Sequence, residues 1–221
     1  MDIIESLSSA VSPPHKAGYP FILGGLALAV VGLIVWHPIA WAGILFTLFC
    51  LYFFRDPERI TPPRAGVIVA PADGLVVSIE RAPPPAELGL TGEPRTRVAI
   101  FLSVLDVHVN RAPIAATVEK IAYHPGLFLA AADNKASDDN ERNSLLLRLA
   151  DGTQMVVVQI AGLIARRILC DAQEGQQLAT GQRFGIIRFG SRTDLYLPDG
   201  VEPQVLVGQR MIGGETVIAT L

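Results

Sequence analysis

The sequence predicts a mainly β protein of the α+β class: a short-stranded antiparallel barrel or sandwich with an apolar helical hairpin at its N-terminus. Two features predict it. Between Ala17 and Phe54 there is no Asp, Glu, Lys or Arg. Beyond Pro63, short runs of Val, Ile and Leu are punctuated by Gly, Pro and Asp, the pattern of brief strands and tight turns. The division falls near residue 60, separating a membrane-associating segment 1–60 from a β-rich body 61–221. A chain of 221 residues holds one ordinary domain plus an appendage, and its 50% hydrophobic content is high for a soluble protein.

The apolar stretch reads as two limbs, Phe21–Trp36 and Ile39–Phe54, with Pro38 breaking helix hydrogen bonding between them. Each limb makes about 24 Å of helix at 1.5 Å per residue. That is short of a hydrocarbon core of roughly 30 Å, so two short spans and a re-entrant hairpin both fit. Trp36 and Trp41 at the bend suit a headgroup interface. Lys16 before the first limb, and Arg55, Arg59 and Arg64 after the second, place both ends on the cytoplasmic side of a cell membrane. A signal peptide and a buried soluble hairpin are the competing readings; the second limb, following at once, speaks against the first.

In the body, strands are expected at Gly66–Ala70, Leu75–Ile79, Val98–Val104, Thr117–Ala122, Ser144–Leu149, Met155–Ile160 and Leu163–Leu169. Phe184–Phe189, Leu195–Leu197, Val205–Val207 and Val217–Ala219 continue the series. Arg81–Pro94, with three consecutive prolines, reads as a surface loop, and Asp133–Asn143 as a loop or short helix.

The formal net charge of -3 gives no footprint for nucleic acid. Cys50 and Cys170 lack metal-ligand spacing, and no metal is expected. The chemically pointed feature is Gly190-Ser191, within Arg188-Phe189-Gly190-Ser191-Arg192-Thr193-Asp194. A strained Gly-Ser bond can rearrange: the hydroxyl attacks the glycine carbonyl, the amide becomes an ester, and elimination and hydrolysis leave a pyruvoyl group. Glycine presents no side chain to block that attack. The plain alternative is an ordinary turn. His108 and His124 are the two histidines of the body and the candidates for a general acid or base. Either would serve equally as a structural hydrogen bonder. Asp73, in Pro71-Ala72-Asp73-Gly74, is a turn former or a carboxylate that orients a base, and Asp106 and Asp194 compete with it.

Taken in order, six motifs resemble the phosphatidylserine decarboxylase proenzymes, in their short form. They are Phe53-Phe54-Arg55-Asp56-Pro57, Pro71-Ala72-Asp73-Gly74, Asp106-Val107-His108-Val109-Asn110-Arg111, Tyr123-His124-Pro125-Gly126, Asn140-Glu141-Arg142 and Phe189-Gly190-Ser191-Arg192. The resemblance implies self-cleavage between Gly190 and Ser191, giving a β chain 1–190 and an α chain 191–221. Ser191 would become the covalent pyruvoyl cofactor. Asp73 would assist cleavage, and His108 would handle substrate and decarboxylation. Longer relatives carry a second histidine where this chain has Arg111, with His124 as a candidate substitute. The partners implied are phosphatidylserine in the bilayer and a homo-oligomer of the αβ unit. Two rivals stay open: the same chemistry on the ether lipid archaetidylserine, and a non-enzymatic membrane-tethered β-domain of the lipoyl-carrier kind, suggested by Val67–Ile79 and Val205–Leu221.

Overall fold

The structure is a computed structural model that describes residues 12–90, 92–126, 140–162, 167–188 and 191–221. The chain forms two compact units, Met1–Glu58 and Arg59–Leu221.

The first unit is a pair of helices, α1 (Tyr19–Val35) and α2 (His37–Phe53), joined through the extended residue Trp36. Pro20 and Pro38 each occupy a first turn, where the missing N–H costs nothing, so Pro38 starts the second helix as well as ending the first. The helices meet along a seam of small residues. A Cβ on Gly32 would strike the Ala40 backbone, and one on Gly43 would strike the Ala29 backbone. Such seams let helices approach closely where lipid removes the hydrophobic drive for association. The outward positions, among them Leu23, Ile34, Trp41 and Leu45, are apolar and exposed. Lys16–Val35 is long and apolar enough to cross a membrane by length and composition.

Among the described residues the second unit has thirteen antiparallel strands: β1 (Val67–Val69), β2 (Gly74–Ala82), β3 (Arg95–Leu102), β4 (Val109–Arg111), β5 (Ala116–His124), β6 (Arg142–Arg148), β7 (Gln154–Ala161), β8 (Ile168–Cys170), β9 (Gln177–Leu178), β10 (Arg183–Ile187), β11 (Ser191–Tyr196), β12 (Arg210–Met211) and β13 (Val217–Thr220). An eight-stranded sheet runs β12-β2-β3-β11-β7-β6-β5-β9. Three strands, β4-β10-β8, form a second sheet, and β1-β13 a third. Register shifts at Val76/Ser78 and Val118/Lys120 are bulges, which increase local twist and curl the large sheet into a half-barrel. Its inner face supplies Val98, Ile100, Leu145, Leu147, Val157 and Leu195 to a core closed by Phe184, Ile68 and Ile218.

The mainly β expectation and the helical pair agree with this architecture; several element boundaries do not. Val205–Val207 is not a strand, because the segment turns back onto β2 through Gly208 N–H to Val76 O. The strand expected at Leu195–Leu197 begins four residues earlier, at Ser191. Of Leu163–Leu169, residues 163–166 lie outside the described residues and the strand starts at Ile168. Phe189 lies outside them too, and β10 ends at Ile187. Of Asp133–Asn143, the described part enters β6 at Arg142. The proline loop contains a 3-10 turn, Ala86–Leu88.

The turn after β3 is capped by a carboxylate. Asp106 Oδ2 accepts from Ser103 N at 2.8 Å and Ser103 Oγ at 2.7 Å, while Oδ1 accepts from Arg210 Nη1 at 2.8 Å. Burial alone would raise the Asp106 carboxyl, but the Ser103 and Arg210 hydrogen bonds outweigh it and hold the group below the ordinary range. A carboxyl depressed in the folded state stabilises the fold above its unfolded value, near pH 4, and loses that contribution as pH falls through the folded value. Asp106→Asn is therefore expected to destabilise the detergent-solubilised protein by about 1–3 kcal/mol at pH 7. The gap in thermal unfolding between variant and parent should close as the pH is brought below about 4. A gap that persists unchanged at acid pH would contradict this account.

Candidate active site

β11 lies in the middle of the large sheet. Ser191 pairs with Leu102 of β3 on one side and Ala161 of β7 on the other, and every residue from Ser191 to Tyr196 is buried. Strand alternation sends Ser191, Thr193 and Leu195 to one face and Arg192, Asp194 and Tyr196 to the other.

The Ser191 face is the inner one, turned toward β4 and β10. Leu195 belongs to the core. Thr193 Oγ1 accepts from Asn110 Nδ2 at 3.3 Å, Asn110 Oδ1 from Gln159 Nε2 at 2.9 Å, and Gln159 Oε1 from Asn143 Nδ2 at 3.0 Å. This buried polar belt crosses from β4 to the large sheet. Ser191 stands at its end, 0% exposed, with its Oγ buried and without a hydrogen-bond partner among the described residues. Leaving a buried hydroxyl unpaired costs about 1–3 kcal/mol, so its retention calls for a chemical reason. The same orphaned hydroxyl fits a residue destined for conversion into a pyruvoyl group. Gly190, the other half of the expected scissile bond, lies outside the described residues.

The opposite face carries the charges. Arg192 clasps Asp194 with two bonds, Nε at 2.6 Å and Nη2 at 2.9 Å, and Arg97 adds a guanidinium at 3.7 Å. Burial and the Asp194 charge push the Tyr196 phenol up to about 12, against the opposing pull of Arg97 and Arg192. Asp194 is thus committed to an ion cluster on the face away from the Ser191 hydroxyl. A cavity of about 450 Å³, floored by Tyr196 and Arg142 beneath the proline loop, opens on this second face.

His108 is completely buried just ahead of β4. Its carbonyl accepts from Ile187 N at 3.3 Å, which holds it beside the end of β10, four residues before Ser191. Its Nδ1 lies 2.9 Å from the Asp106 carbonyl. A carbonyl only accepts, so Nδ1 carries the proton and the lone pair of the neutral ring resides on Nε2. Asp106 therefore serves His108 through its backbone, while its carboxylate caps the preceding turn.

Asp73 immediately precedes β2, at the same end of the sheet as Ser191 and two strands away through β3. Its Oδ1 accepts from Gly213 N and its Oδ2 from Arg59 Nη2, both at 2.7 Å. Gly74 has φ 146°, and a Cβ there would collide with the Phe101 carbonyl, so only glycine lets the turn enter the sheet this way. Arg111 N bonds Pro71 O at 2.8 Å, tying the Asp73 turn to β4, the strand that follows His108. The Arg111 side chain reaches the Gly181 carbonyl. The fold thus brings Asp73, His108 and Ser191 to one end of the packed sheets. His124 it leaves apart: the residue is exposed at the end of β5, three strands from β11. Sequence reasoning passed over Gln159 and Thr193. The signal for the first was a lone amide in the run Met155-Val156-Val157-Val158-Gln159-Ile160, since a polar group in a buried strand needs a partner.

The family model described as phosphatidylserine decarboxylase matches residues 46–219. The chain is 63% identical over 221 residues to the phosphatidylserine decarboxylase proenzyme of Granulibacter bethesdensis, covering 100% of this chain and 91% of that one. It is 59% identical over 218 residues to the protein of that name from Cereibacter sphaeroides, covering 99% and 94%. A third, from Gluconacetobacter diazotrophicus, is 59% identical over 225 residues and covered completely in both chains. With the buried serine at the head of β11 and the full-length similarity together, the chain belongs to the phosphatidylserine decarboxylase family and is an enzyme of the decarboxylase class.

Proposed function

We propose that this chain is a proenzyme that cleaves itself between Gly190 and Ser191 and then, through the pyruvoyl group made from Ser191, converts phosphatidylserine to phosphatidylethanolamine and CO2. The observation that carries the reading is the buried Ser191 hydroxyl, without a hydrogen-bond partner among the described residues, in a chain of this family.

In the cleavage step the Ser191 Oγ–carbon bond forms as the Gly190–Ser191 amide breaks, and the hydroxyl proton passes to the released amine. Loss of the Ser191 α-proton then expels the Gly190 carboxylate, and addition of water with departure of ammonia leaves the ketone. Asp73, fixed by Arg59 and Gly213, is positioned to assist at this end of the sheet. The pyruvoyl group supplies a sink for the electron pair released when CO2 departs. His108 Nε2, once it has taken up a proton from the substrate ammonium, delivers it to the carbon from which CO2 departs. Burial of the serine face excludes water, and a carboxylate stripped of hydration loses CO2 more readily.

The N-terminal segment 1–60 anchors the enzyme in the cell membrane, as two short spans or a re-entrant hairpin, with the catalytic domain 61–221 on the cytoplasmic side. A diacyl substrate never leaves the bilayer, so the enzyme must work there. The names of the relatives favour phosphatidylserine over an ether-lipid analogue. Membership of a decarboxylase family sets aside the non-enzymatic β-domain. The assembly is a homo-oligomer of αβ units.

Two outcomes are expected. Ser191→Ala should run as one uncut chain of 23.7 kDa on a denaturing gel and release no CO2, where the parent shows two chains. A cut Ser191→Ala protein would refute the cleavage point. His108→Gln should lower kcat by about a hundredfold or more in whatever fraction is correctly cut, the usual size of a lost proton-transfer group. An unchanged kcat in the cut variant would remove His108 from the chemistry.

A further inference from the structure

The two ends of the helical pair in the first unit differ chemically, and the difference fixes how deep the pair reaches. At its base the chain is stitched to itself. His15 N bonds Phe54 O at 2.6 Å, Asp56 N bonds Pro13 O at 2.9 Å, and Pro14 bridges Arg55. Lys16, Arg55 and Asp56 gather at this end, and no Asp, Glu, Lys or Arg occurs between Ala17 and Phe54. Tyr19 and Tyr52 are exposed in the same turns, with the Arg55 guanidinium 4.0 Å from the Tyr52 ring centroid. At the bend, Trp36 and Trp41 are 62% and 65% exposed, and His37 between them is exposed too. Tyrosine and tryptophan collect at both surfaces of a bilayer, where the ring meets oil and its polar atom stays wet. The pair thus carries an aromatic belt at each end.

Between the belts the helices are made for oil. Thr47, midway along α2, is buried in the seam and donates to Gly43 O at 2.8 Å, and Cys50 is wholly buried. Leu23, Leu26, Val30, Leu33, Leu45 and Leu48 face outward. A helix lying in the interface plane needs a charged face turned to water, and these helices have none.

Length and hydrogen bonding decide between stopping inside the bilayer and crossing it. From Tyr19 to Trp36, α1 rises about 26 Å at 1.5 Å per residue, against a hydrocarbon core of roughly 30 Å. A shortfall of about 4 Å is met by slight local thinning, at small cost. Stopping short is costlier. Where α1 ends and α2 begins, carbonyls of one last turn and N–H groups of one first turn lack intrahelical partners. The bend is closed by Trp36 N to Gly32 O at 2.9 Å and Ile39 N to Trp36 O at 3.0 Å, and α2 starts without a side-chain cap. Hydrocarbon gives the remaining groups nothing to bond, whereas headgroups and water do. We propose that α1 and α2 cross the bilayer completely and set the Trp36–His37 bend among the headgroups of the far leaflet, an assignment that rests on the membrane-anchoring reading. Lipid then covers their outer faces from belt to belt.

The test uses the full-length chain in spheroplasts, with Cys50→Ala and Cys170→Ser so that one introduced thiol reports at a time. A membrane-impermeant maleimide is the probe. His37→Cys should label in intact cells as fully as after lysis. Ala65→Cys, exposed near the start of the second unit, should label only after lysis. Labelling of both positions under the same condition, intact or lysed, would put bend and base on one face and overturn the proposal. Labelling of His37→Cys that waits for detergent would leave the bend in hydrocarbon and overturn it equally. The chain's 2 tryptophans both stand at the bend, so the unaltered protein gives an independent check in phosphatidylcholine vesicles brominated at known depths. Bromines near the headgroup should quench their fluorescence more than bromines near the acyl chain ends, and the opposite order would overturn the proposal. A chain recovered from the soluble fraction of lysed cells would instead remove the anchoring reading itself.

Discussion

The two-sided pairing of β11 is the constraint on which the rest depends. Ser191 is locked by Leu102 on one flank and Ala161 on the other, which buries its hydroxyl and fixes the direction in which it points. Because side chains alternate along a strand, a slip of one residue would move the hydroxyl to the charged face and bring Arg192 into the core. The Arg192–Asp194 clasp and the Thr193–Asn110 bond, one on each face, both oppose that slip. Charge on the outer face and polar satisfaction on the inner face thus cooperate to hold one register.

The polar belt of Asn110, Gln159 and Asn143 has a second consequence. Its amides are bonded to one another and to Thr193, while the Ser191 hydroxyl at its end has no partner among the described residues. A satisfied network rigidifies its surroundings, so the unpaired hydroxyl sits in a frame with little freedom to relieve it. His108 is fixed by the same economy of groups. Its Nδ1 is used by a backbone carbonyl, which leaves Nε2 as the basic position.

Much of this was legible in the sequence, and the failures are physically instructive. The hairpin followed from the absence of charge between Ala17 and Phe54, although its small-residue seam needs the three-dimensional pairing of Gly32 with Ala40 and Gly43 with Ala29. Ser191, Asp73 and His108 were legible as motifs, and the fold gathers them at one end of the sheets. The start of β11 was not, because Arg192 and Asp194 look like loop residues until each is seen to cancel the other inside the protein. His124 reads as a candidate from its turn motif, and the fold leaves it exposed at the end of β5, three strands from β11, because sequence adjacency to a turn says nothing about which strand the turn ends. The short strands β4, β9 and β12 escaped because two or three residues carry no periodicity.

The central claim is that the residue at position 191 ends as a ketone heading its own chain. The most direct measurement is the intact mass of the small C-terminal chain from the purified parent protein, taken with and without a carbonyl-reactive hydrazide. The account predicts a peptide 191–221 lighter than the serine-headed form by one ammonia, refractory to N-terminal sequencing and labelled once by the hydrazide. A serine-headed, unlabelled peptide, or an undivided chain that still releases CO2 from phosphatidylserine, would contradict it.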